Sequence, residues 1–202
     1  MSQAAEAIYQ RLAPVYDLIY GVTLAPGRRR ALARLAPRGG ESILEVGVGT
    51  GLSAMSYPRD CRVAAIDLSP HMLERARARL ARRDVRHVTL LRMDAAHLAF
   101  GDAQFDGIYA PYVMNVVHDP VAVAREMLRV CKPAGRVVLL NHFNHETGND
   151  PVDRVLGRLA SRIGVNWHVD LPSLLRDSGL TAQSVERVNL PRVSSVVVCY
   201  KA

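Results

Sequence analysis

The chain has 202 residues, 49% of them hydrophobic and 22% charged, as in an ordinary globular protein of one domain, and its longest apolar run, 108–117, is too short to span a membrane. The 26 basic and 19 acidic residues give a net charge of +7, and 24 of the basic residues are Arg. Arginine suits phosphate recognition, although charge alone selects neither nucleic acid nor a membrane. Cys61, Cys131 and Cys199 are scattered and lack metal-binding spacing, so we expect a reducing cytoplasm and no metal site.

Residues 1–21 predict an amphipathic helix. Apolar side chains recur there at spacings of three and four residues, which places them on one helical face: Ile8, Leu12, Val15 and Ile19. Tyr9, Tyr16 and Tyr20 lie beside this stripe, and Pro14 can kink the segment. The pattern predicts a lid packed over the domain. It also suits shallow insertion into a membrane surface, and a mobile lid would serve both purposes.

A short helix is predicted at 28–35, before the helix-breaking Pro37 and Gly39. It carries a basic cluster, Arg28–Arg30. Such a cluster is most commonly a solvated helix face, but it also suits lipid phosphates, at about 1 kcal/mol for each basic residue near an anionic leaflet. We therefore divide the chain into an N-terminal lid and membrane-contact segment, 1–38, and a main domain, 39–202.

The most informative stretch is 43–51, which reads Ile-Leu-Glu-Val-Gly-Val-Gly-Thr-Gly. Its apolar residues predict a buried parallel strand, and its glycines predict a tight turn where a ligand approaches bare backbone. The next predicted strand ends in Asp67, which can accept hydrogen bonds from both ribose hydroxyls of a nucleoside. The glycine spacing differs from the G-x-G-x-x-G of dinucleotide folds. A nicotinamide enzyme and a turn without a ligand are the alternatives.

Strands and helices alternate along the chain. Ser69 and Asp119 each precede a proline and predict helix starts. The predicted helices after the glycine turn are 52–57, one from Ser69 onward, 119–131 and two pieces within 151–178. The predicted strands are 43–46, 62–67, 85–91, 105–110, 136–140, 180–188 and 193–200, of which the last two form an antiparallel pair. This order predicts an α/β fold with a doubly wound, mostly parallel seven-stranded sheet.

At the glycine turn and Asp67 the sequence resembles the class I S-adenosylmethionine-dependent methyltransferases, whose first motif is a strand ending in E/D-x-G-x-G-x-G. The resemblance covers roughly residues 40 to 200. It implies a Rossmann-like fold, S-adenosylmethionine as cofactor, S-adenosylhomocysteine as product, and an acid near the adenine after the third strand. The positions implied for the cofactor are Glu45, Gly47, Gly49, Gly51, Asp67, Leu68, Met72, Met93, Asp94, Ala95 and Ala110.

Three further stretches, 15–21, 26–28 and 137–143, resemble the bacterial phosphatidylethanolamine N-methyltransferases of the short, membrane-associated kind. The Tyr16 and Tyr20 pair and the triplet Asn141-His142-Phe143 carry this resemblance, because the cofactor motifs occur in many families. It implies stepwise methylation of phosphatidylethanolamine, through mono- and dimethylated intermediates, to phosphatidylcholine. It also implies a cytoplasmic protein that is peripherally attached to the anionic inner membrane through the N-terminal helix and the Arg cluster.

Methyl transfer to an amine requires a free lone pair, so the protonated amine must first lose a proton. We predict that Tyr16 and Tyr20 hold the methylated cation with their ring faces, although both could simply pack the lid. His142 is a candidate donor to the headgroup phosphate or a candidate base, and it could instead only orient the strand end. The other candidates for substrate binding are Tyr9, Tyr112, His145 and Trp167.

Several other functions are alternatives to this one. A C-methyltransferase of quinone biosynthesis, or another small-molecule methyltransferase, shares the cofactor motifs. Arsenite methylation would need clustered cysteines, and amino-methylation of nucleic acid would need an Asn/Asp-Pro-Pro-Tyr motif that the chain lacks, so we expect no nucleic-acid partner. The alternative outside catalysis is a peripheral membrane protein with a structural nucleotide. Glu45 and Asp67 argue against a dead cofactor site.

Overall fold

The computed structural model describes residues 21, 23–144, 169–189 and 194–201. Several predicted site residues therefore lie outside the described part of the chain: Tyr9, Tyr16, Tyr20, His145 and Trp167. Four helices are described, α1 (Ala25–Leu35), α2 (Pro70–Arg82), α3 (Pro120–Val130) and α4 (Leu171–Ser178), together with a short 3-10 turn, Ala54–Ser56. The described strands are β1 (Ser42–Val46), β2 (Arg62–Asp67), β3 (Val88–Arg92), β4 (Phe105–Pro111), β5 (Cys131–Asn141), β6 (Phe143–Asn144), β7 (Val169–Asp170), β8 (Ala182–Val188) and β9 (Ser194–Tyr200).

Seven of these strands form one sheet in the order β3-β2-β1-β4-β5-β9-β8. The first five run parallel to one another, and β9 runs antiparallel to both β5 and β8. β6 and β7 form a separate parallel pair. The prediction of a doubly wound, mostly parallel seven-stranded sheet is confirmed. The strand order reverses between β1 and β4, which is where open α/β sheets bind their ligands, beyond the carboxyl ends of the strands.

Helices cover both faces of the sheet, because the central strands are apolar on both sides. Ala31 and Leu35 of α1 and Leu73 of α2 pack on one face. Met127 of α3 and Leu174 of α4 pack on the other. Each face of the sheet has its own buried apolar cluster. The sheet therefore lies between two cores, and packing on both faces fixes the position of its strands.

Side-chain caps begin three of the helices, two of them at the residues that the sequence predicts. Ser69 accepts a hydrogen bond from the backbone N–H of Met72 at 3.4 Å, and Asp119 accepts one from Ala122 at 2.9 Å. Asp170 does the same for α4, accepting from Ser173 at 2.9 Å. In each case proline follows the cap, where its missing N–H costs nothing.

The third strand begins at Val88 rather than at 85, and two predicted elements differ more clearly in the structure. The helix expected at 52–57 is only a turn followed by the 3-10 turn, because the segment is short and Tyr57 turns inward to a fully buried position before Pro58. The fifth strand begins at Cys131 rather than at 136, with an irregular stretch in which Ala134 has a positive φ of 59°. Neither difference moves the carboxyl ends of the strands.

A membrane-spanning helix is not found among the residues that the structure describes, since none of their helices is both long and apolar enough.

Candidate active site

The glycine turn after β1 is held against the end of β2. The backbone N–H groups of Gly47 and Val48 both donate to the carbonyl of Ile66 at 2.9 Å. A Cβ atom at Gly47 would lie 2.9 Å from a methyl group of Val113, and one at Gly51 would lie 3.2 Å from Ala76 of α2. Close packing and positive φ angles, 73° at Gly47 and 80° at Gly51, therefore favour glycine at both positions.

Gly49 has a different environment. Its φ is 54°, and a Cβ atom built there would meet no protein atom within 4 Å. The turn thus leaves open space directly above bare backbone at the middle glycine. This is what the sequence predicted for a ligand that approaches the main chain closely.

Asp67, at the end of β2, faces this turn. Its Oδ2 accepts the N–H of Gly49 at 2.8 Å, and its Oδ1 accepts the N–H of Ser69 at 2.9 Å. Burial raises the pKa of the carboxyl, and these hydrogen bonds offset part of that increase. A carboxylate has about four acceptor positions, so these backbone bonds leave acceptor capacity for a ribose hydroxyl.

Glu45 lies one residue before the end of β1, between Ala65 of β2 and Tyr109 of β4. It is fully buried, and neither carboxyl oxygen has a hydrogen-bond partner among the described residues. The Tyr57 hydroxyl is close enough to lower the carboxyl's pKa without reaching hydrogen-bond geometry, and Arg28 lowers it further. Burial is the stronger influence and raises the pKa to about 8. Such a group needs a polar or cationic partner.

The other predicted cofactor residues surround the same edge. Leu68 is 54% exposed, an unusual position for a large apolar side chain, and Met72 is half-buried on the first turn of α2. The N–H of Met93 donates to the carbonyl of Asp67 at 3.2 Å, which brings Met93-Asp94-Ala95 beside the ribose candidate. Ala110 is fully buried in β4 and can only contribute to the floor of the site. The assignment of these residues to a cofactor stays a prediction.

Tyr112 follows β4 and has a strained backbone. Its φ is 56°, which is uncommon for a residue with a bulky side chain, and its N–H donates to the carbonyl of Leu140 at 2.6 Å. Burial raises the pKa of its hydroxyl. Its ring lies 5.5 Å from that of His142, centre to centre, so the ends of β4 and β5 present two predicted substrate residues side by side.

His142 is fixed through both its backbone and its ring. The side chain of Asn115 donates to the His142 carbonyl at 3.1 Å and accepts the His142 N–H at 3.3 Å. The ring Nδ1 lies 3.1 Å from Oγ of Ser194, the first residue of β9. His142 is only 8% exposed and Ser194 is fully buried. Ser194 is thus out of reach of a substrate and can act only by orienting the ring.

Asn189, which lies between the last two predicted strands and was not predicted as a site residue, connects this group to α1. Its Oδ1 accepts the N–H of Gly27 at 2.8 Å. Its Nδ2 donates to the hydroxyl of Tyr112 at 2.9 Å and to Oγ of Ser194 at 3.0 Å. A Cβ atom at Gly27 would lie 2.7 Å from the Asn189 amide, which explains the glycine in the stretch 26–28. An asparagine directly after a predicted strand was the available signal.

The Arg28–Arg30 cluster is engaged with the protein at two of its three positions. Arg28 donates to the carbonyl of Gly21, and Arg30 pairs with Glu186 of β8 at 2.7 Å. Arg29 is exposed. Glu186 also pairs with Arg34 at 2.8 Å, and burial of these partners is partial, so the pairs leave positive charge at this surface.

Metal ligation finds no support in the described ranges, where no group of three or more His, Cys, Asp or Glu side chains lies close enough to hold an ion.

The site can be compared with known proteins. A family model described as a methyltransferase domain matches residues 44–139. The chain is 41% identical over 169 residues to phosphatidylethanolamine N-methyltransferase of Cereibacter sphaeroides. This alignment covers 83% of this chain and 81% of that protein. The chain is 35% identical over 167 residues to demethylmenaquinone methyltransferase of Thermobifida fusca, covering 80% and 69%. A solved SAM-dependent methyltransferase from Aquifex aeolicus has the same fold, with a TM-score of 0.70 at 17% identity over 96% of this chain and 98% of that one.

The residues of this site fit such a cofactor. S-adenosylmethionine carries an ammonium group, a ribose and a sulfonium. The buried carboxyl of Glu45 lacks a hydrogen-bond partner among the described residues, Asp67 keeps acceptor positions toward the turn, and Gly49 leaves space above its backbone. The relatives and the fold agree with this geometry. The chain belongs to the S-adenosylmethionine-dependent methyltransferases.

Proposed function

We propose that this methyltransferase methylates the amine of phosphatidylethanolamine in steps, through the mono- and dimethylated lipids, to phosphatidylcholine. The observation that carries the proposal is the 41% identity to the phosphatidylethanolamine N-methyltransferase of Cereibacter sphaeroides over most of both chains. The second support is the pair of aromatic and imidazole side chains, Tyr112 and His142, at the carboxyl edge of β4 and β5.

Three residues would hold the cofactor. Asp67 would accept the ribose hydroxyls, Glu45 would meet the ammonium group of the methionine part, and Gly49 would let that part lie against the backbone. When bound, S-adenosylmethionine supplies an electrophilic methyl group on a sulfonium. The protein would contribute mainly by positioning the amine in line with that methyl group and by excluding water.

The N-terminal tyrosines would act on the substrate nitrogen. The third methylation makes the headgroup nitrogen quaternary, so that its positive charge is fixed, and ring faces hold such a cation at roughly 0.5–2 kcal/mol each. We assign this role to Tyr16 and Tyr20, with Tyr9 beside them. A cage of rings without a fixed carboxylate would accept all methylation states of the headgroup.

The strand ends would meet the rest of the headgroup. Tyr112 and His142 lie next to each other at this edge, and His145 and Trp167 follow in the sequence. A phosphate diester needs hydrogen-bond donors, which these side chains offer. His142 therefore belongs to the substrate end of the site in this proposal.

The substrate is a lipid, so the protein would work at a membrane surface. We propose that residues 1–38 form the lid and membrane-contact segment and that 39–202 form the catalytic domain. The apolar stripe of residues 8–19 would enter the interface, and the Arg28–Arg30 cluster would face anionic lipids of the inner membrane from the cytoplasm. Because Ala31 and Leu35 are fully buried, α1 would stay with the domain while the segment before it approaches the lipid.

A second candidate is the C-methylation of a quinone precursor. It is favoured by the 35% identity to the demethylmenaquinone methyltransferase of Thermobifida fusca. That substrate has no phosphate and no amine. It would therefore make no use of an oriented donor at His142 or of a cation cage.

The test is lipid mass spectrometry in a bacterial host that normally lacks phosphatidylcholine. Expression should give mono-, di- and trimethylated headgroups, and a Gly49→Val variant, which blocks the turn but leaves the substrate end intact, should give none. Purified protein with radiolabelled cofactor should label phosphatidylethanolamine vesicles and not demethylmenaquinone. Labelling of the quinone alone would replace the proposal with the second candidate.

A further inference from the structure

We propose that Asn189 fixes the ring of His142 in the tautomer that carries its hydrogen on Nε2, so that His142 donates a hydrogen bond to an anionic oxygen of the substrate and does not accept the proton of the amine. The inference rests on the proposed function for the identity of that oxygen, a headgroup phosphate. The tautomer itself follows from the hydrogen bonds of four buried groups.

The orientation of the Asn189 amide is the first step. The backbone N–H of Gly27 can only donate, so the atom that faces it at 2.8 Å must be the amide oxygen. The amide nitrogen then faces the other way, where it donates one hydrogen to Tyr112 at 2.9 Å and one to Ser194 at 3.0 Å. Asn189 is 8% exposed, and its φ of 64° is a conformation that asparagine tolerates better than most residues.

The direction of the hydrogen bond from Asn189 determines where the hydroxyl hydrogen of Ser194 points. Its oxygen accepts from Asn189, which leaves the hydroxyl hydrogen to be donated. The ring Nδ1 of His142, 3.1 Å away, is an acceptor in hydrogen-bond geometry with that hydroxyl. Tyr112 is the competing acceptor, but its oxygen already accepts from Asn189, and an imidazole nitrogen is the more basic atom. Nδ1 therefore has no hydrogen, and the neutral ring carries it on Nε2.

Tyr112 is oriented by the same amide. Its oxygen accepts from Asn189, its hydroxyl also lies within hydrogen-bond reach of Ser194, and burial raises the pKa of the hydroxyl so that it stays protonated. The Tyr112 and His142 rings lie 5.5 Å apart. One asparagine thus orients both side chains and leaves the Nε2 hydrogen of His142 as a donor, which suits an anion and suits poorly the removal of a proton from an ammonium group.

The tautomer can be measured by nitrogen NMR of the histidine-labelled full chain, because protonated and unprotonated ring nitrogens differ widely in chemical shift. A His142→Gln variant assigns the signal. His87 is an internal control: its Nε2 lies 3.2 Å from the carbonyl of Tyr57, which only accepts, so His87 must also carry its hydrogen on Nε2. We expect the neutral ring of wild-type His142 to show the same pattern as His87.

Asn189→Asp is the decisive variant, because it keeps the shape and removes the donors. An aspartate can only accept, so Ser194 would donate to it and then accept from Nδ1, and the hydrogen of His142 should move from Nε2 to Nδ1. The His87 signal should not change. Ser194→Ala is a second variant that should fold in any case. It removes the donor to Nδ1 and should give a mixture of the two tautomers.

The role toward the substrate has its own measurement. Asn189→Asp should raise the KM for phosphatidylethanolamine about 10- to 100-fold, as expected for a lost hydrogen bond to a charged group, with cofactor affinity unchanged. Glycerophosphoethanolamine should shift the Nε2 signal of the wild-type protein. The inference would be overturned if the neutral wild-type ring carried its hydrogen on Nδ1. It would also be overturned if neither Asn189→Asp nor Ser194→Ala changed the tautomer. A correct tautomer with unaltered KM and no shift would overturn the donor role, and failure to methylate the lipid at all would count against the proposed function alone.

Discussion

The amide of Gly49 donates to the carboxylate of Asp67 across 2.8 Å, so the turn after β1 and the acid that ends β2 form one unit. The same carboxylate holds the N–H of Ser69, the residue that caps α2. Asp67 therefore organises the backbone around the cofactor edge in addition to offering acceptors to a ribose. Replacing it should affect both the shape and the charge of the site.

The first prediction concerns this unit. Asp67→Ala should weaken S-adenosylmethionine binding by at least 10-fold, since charge-assisted hydrogen bonds are worth about 1.5–3 kcal/mol. Gly49→Val should weaken it further, because the side chain would occupy the open space above the turn. Isothermal calorimetry measures both. Asp60→Ala is the matched control, because it makes the same charge change at an exposed position just before β2, at the opposite edge of the sheet. Equal affinities in all three variants would remove the cofactor from this edge.

The second prediction is a pH dependence of cofactor binding. Glu45 has a pKa near 8, so it is mostly neutral at pH 7 and must lose a proton to meet an ammonium group. The association constant should therefore rise by close to tenfold per pH unit from roughly pH 6 to pH 7.5. Glu45→Gln should flatten this slope while Asp67 remains in both proteins. A slope that the substitution leaves intact would show that Glu45 does not meet the cation.

The third prediction is the effect of the same residue on stability. The pKa of Glu45 is raised from its ordinary 4.5 to about 8, so the folded state keeps a proton that the unfolded state releases in this window. The free energy of unfolding should fall as the pH rises from 5 to 8. Relative to Glu45→Gln, the loss should be on the order of 2–4 kcal/mol. Urea unfolding of both proteins at several pH values measures it, and parallel pH profiles would contradict the buried, neutral state.

The fourth prediction is that the N-terminal segment binds anionic membranes. Wild-type protein should sediment with phosphatidylglycerol vesicles, less so as salt rises, because such attraction is screened over about 8 Å at physiological ionic strength. Deletion of residues 1–13 should abolish sedimentation and leave a folded core. Arg29→Glu should weaken it more than Arg59→Glu, which makes the same charge change before β2, at the opposite edge of the sheet. Sedimentation that survives the deletion would leave the segment a purely structural role.

The fifth prediction separates three roles of Tyr16 and Tyr20. If their ring faces hold the cation, replacement by Phe should be milder than replacement by Ala, and the Ala defect should be largest for the most methylated lipid. If a hydroxyl orients the amine, replacement by Phe should lower the rate of the first methylation nearly as much as replacement by Ala does. Rates with un-, mono- and dimethylated headgroups distinguish these. A uniform loss that follows the melting temperature would leave only packing.

Local signals predicted much of the fold. Ser69 and Asp119 mark helix starts because each cap and the proline after it act within one turn of the chain. Asp67 and the glycine turn were found for the same reason, since each sits at the end of its own strand. The prediction of a short helix at 52–57 was wrong, because the burial of Tyr57 depends on packing against the sheet and not on local sequence.

The substrate end was only partly predictable. Tyr112 and His142 were found because they follow predicted strands. Asn189 and Ser194 were missed because their roles depend on Gly27, far away in the sequence, and on the antiparallel arrangement that brings β8 and β9 beside β5. Hydrogen bonds between distant side chains leave no periodic pattern, and the strained φ of Tyr112 leaves none either.

The position of β9 has a consequence for how the chain matures. Val138 of β5 pairs with Val198 of β9. During synthesis, β5 therefore lacks this neighbouring strand until the segment from Phe143 to Val188 and then β9 have been made. During that interval a long strand with the apolar run Val137–Leu140 has one open edge, and such an edge is a template for pairing with other chains. We expect chains interrupted before β9 to aggregate instead of settling into a smaller domain. Proteolytic or translational truncation would therefore produce insoluble protein and not a partly active enzyme.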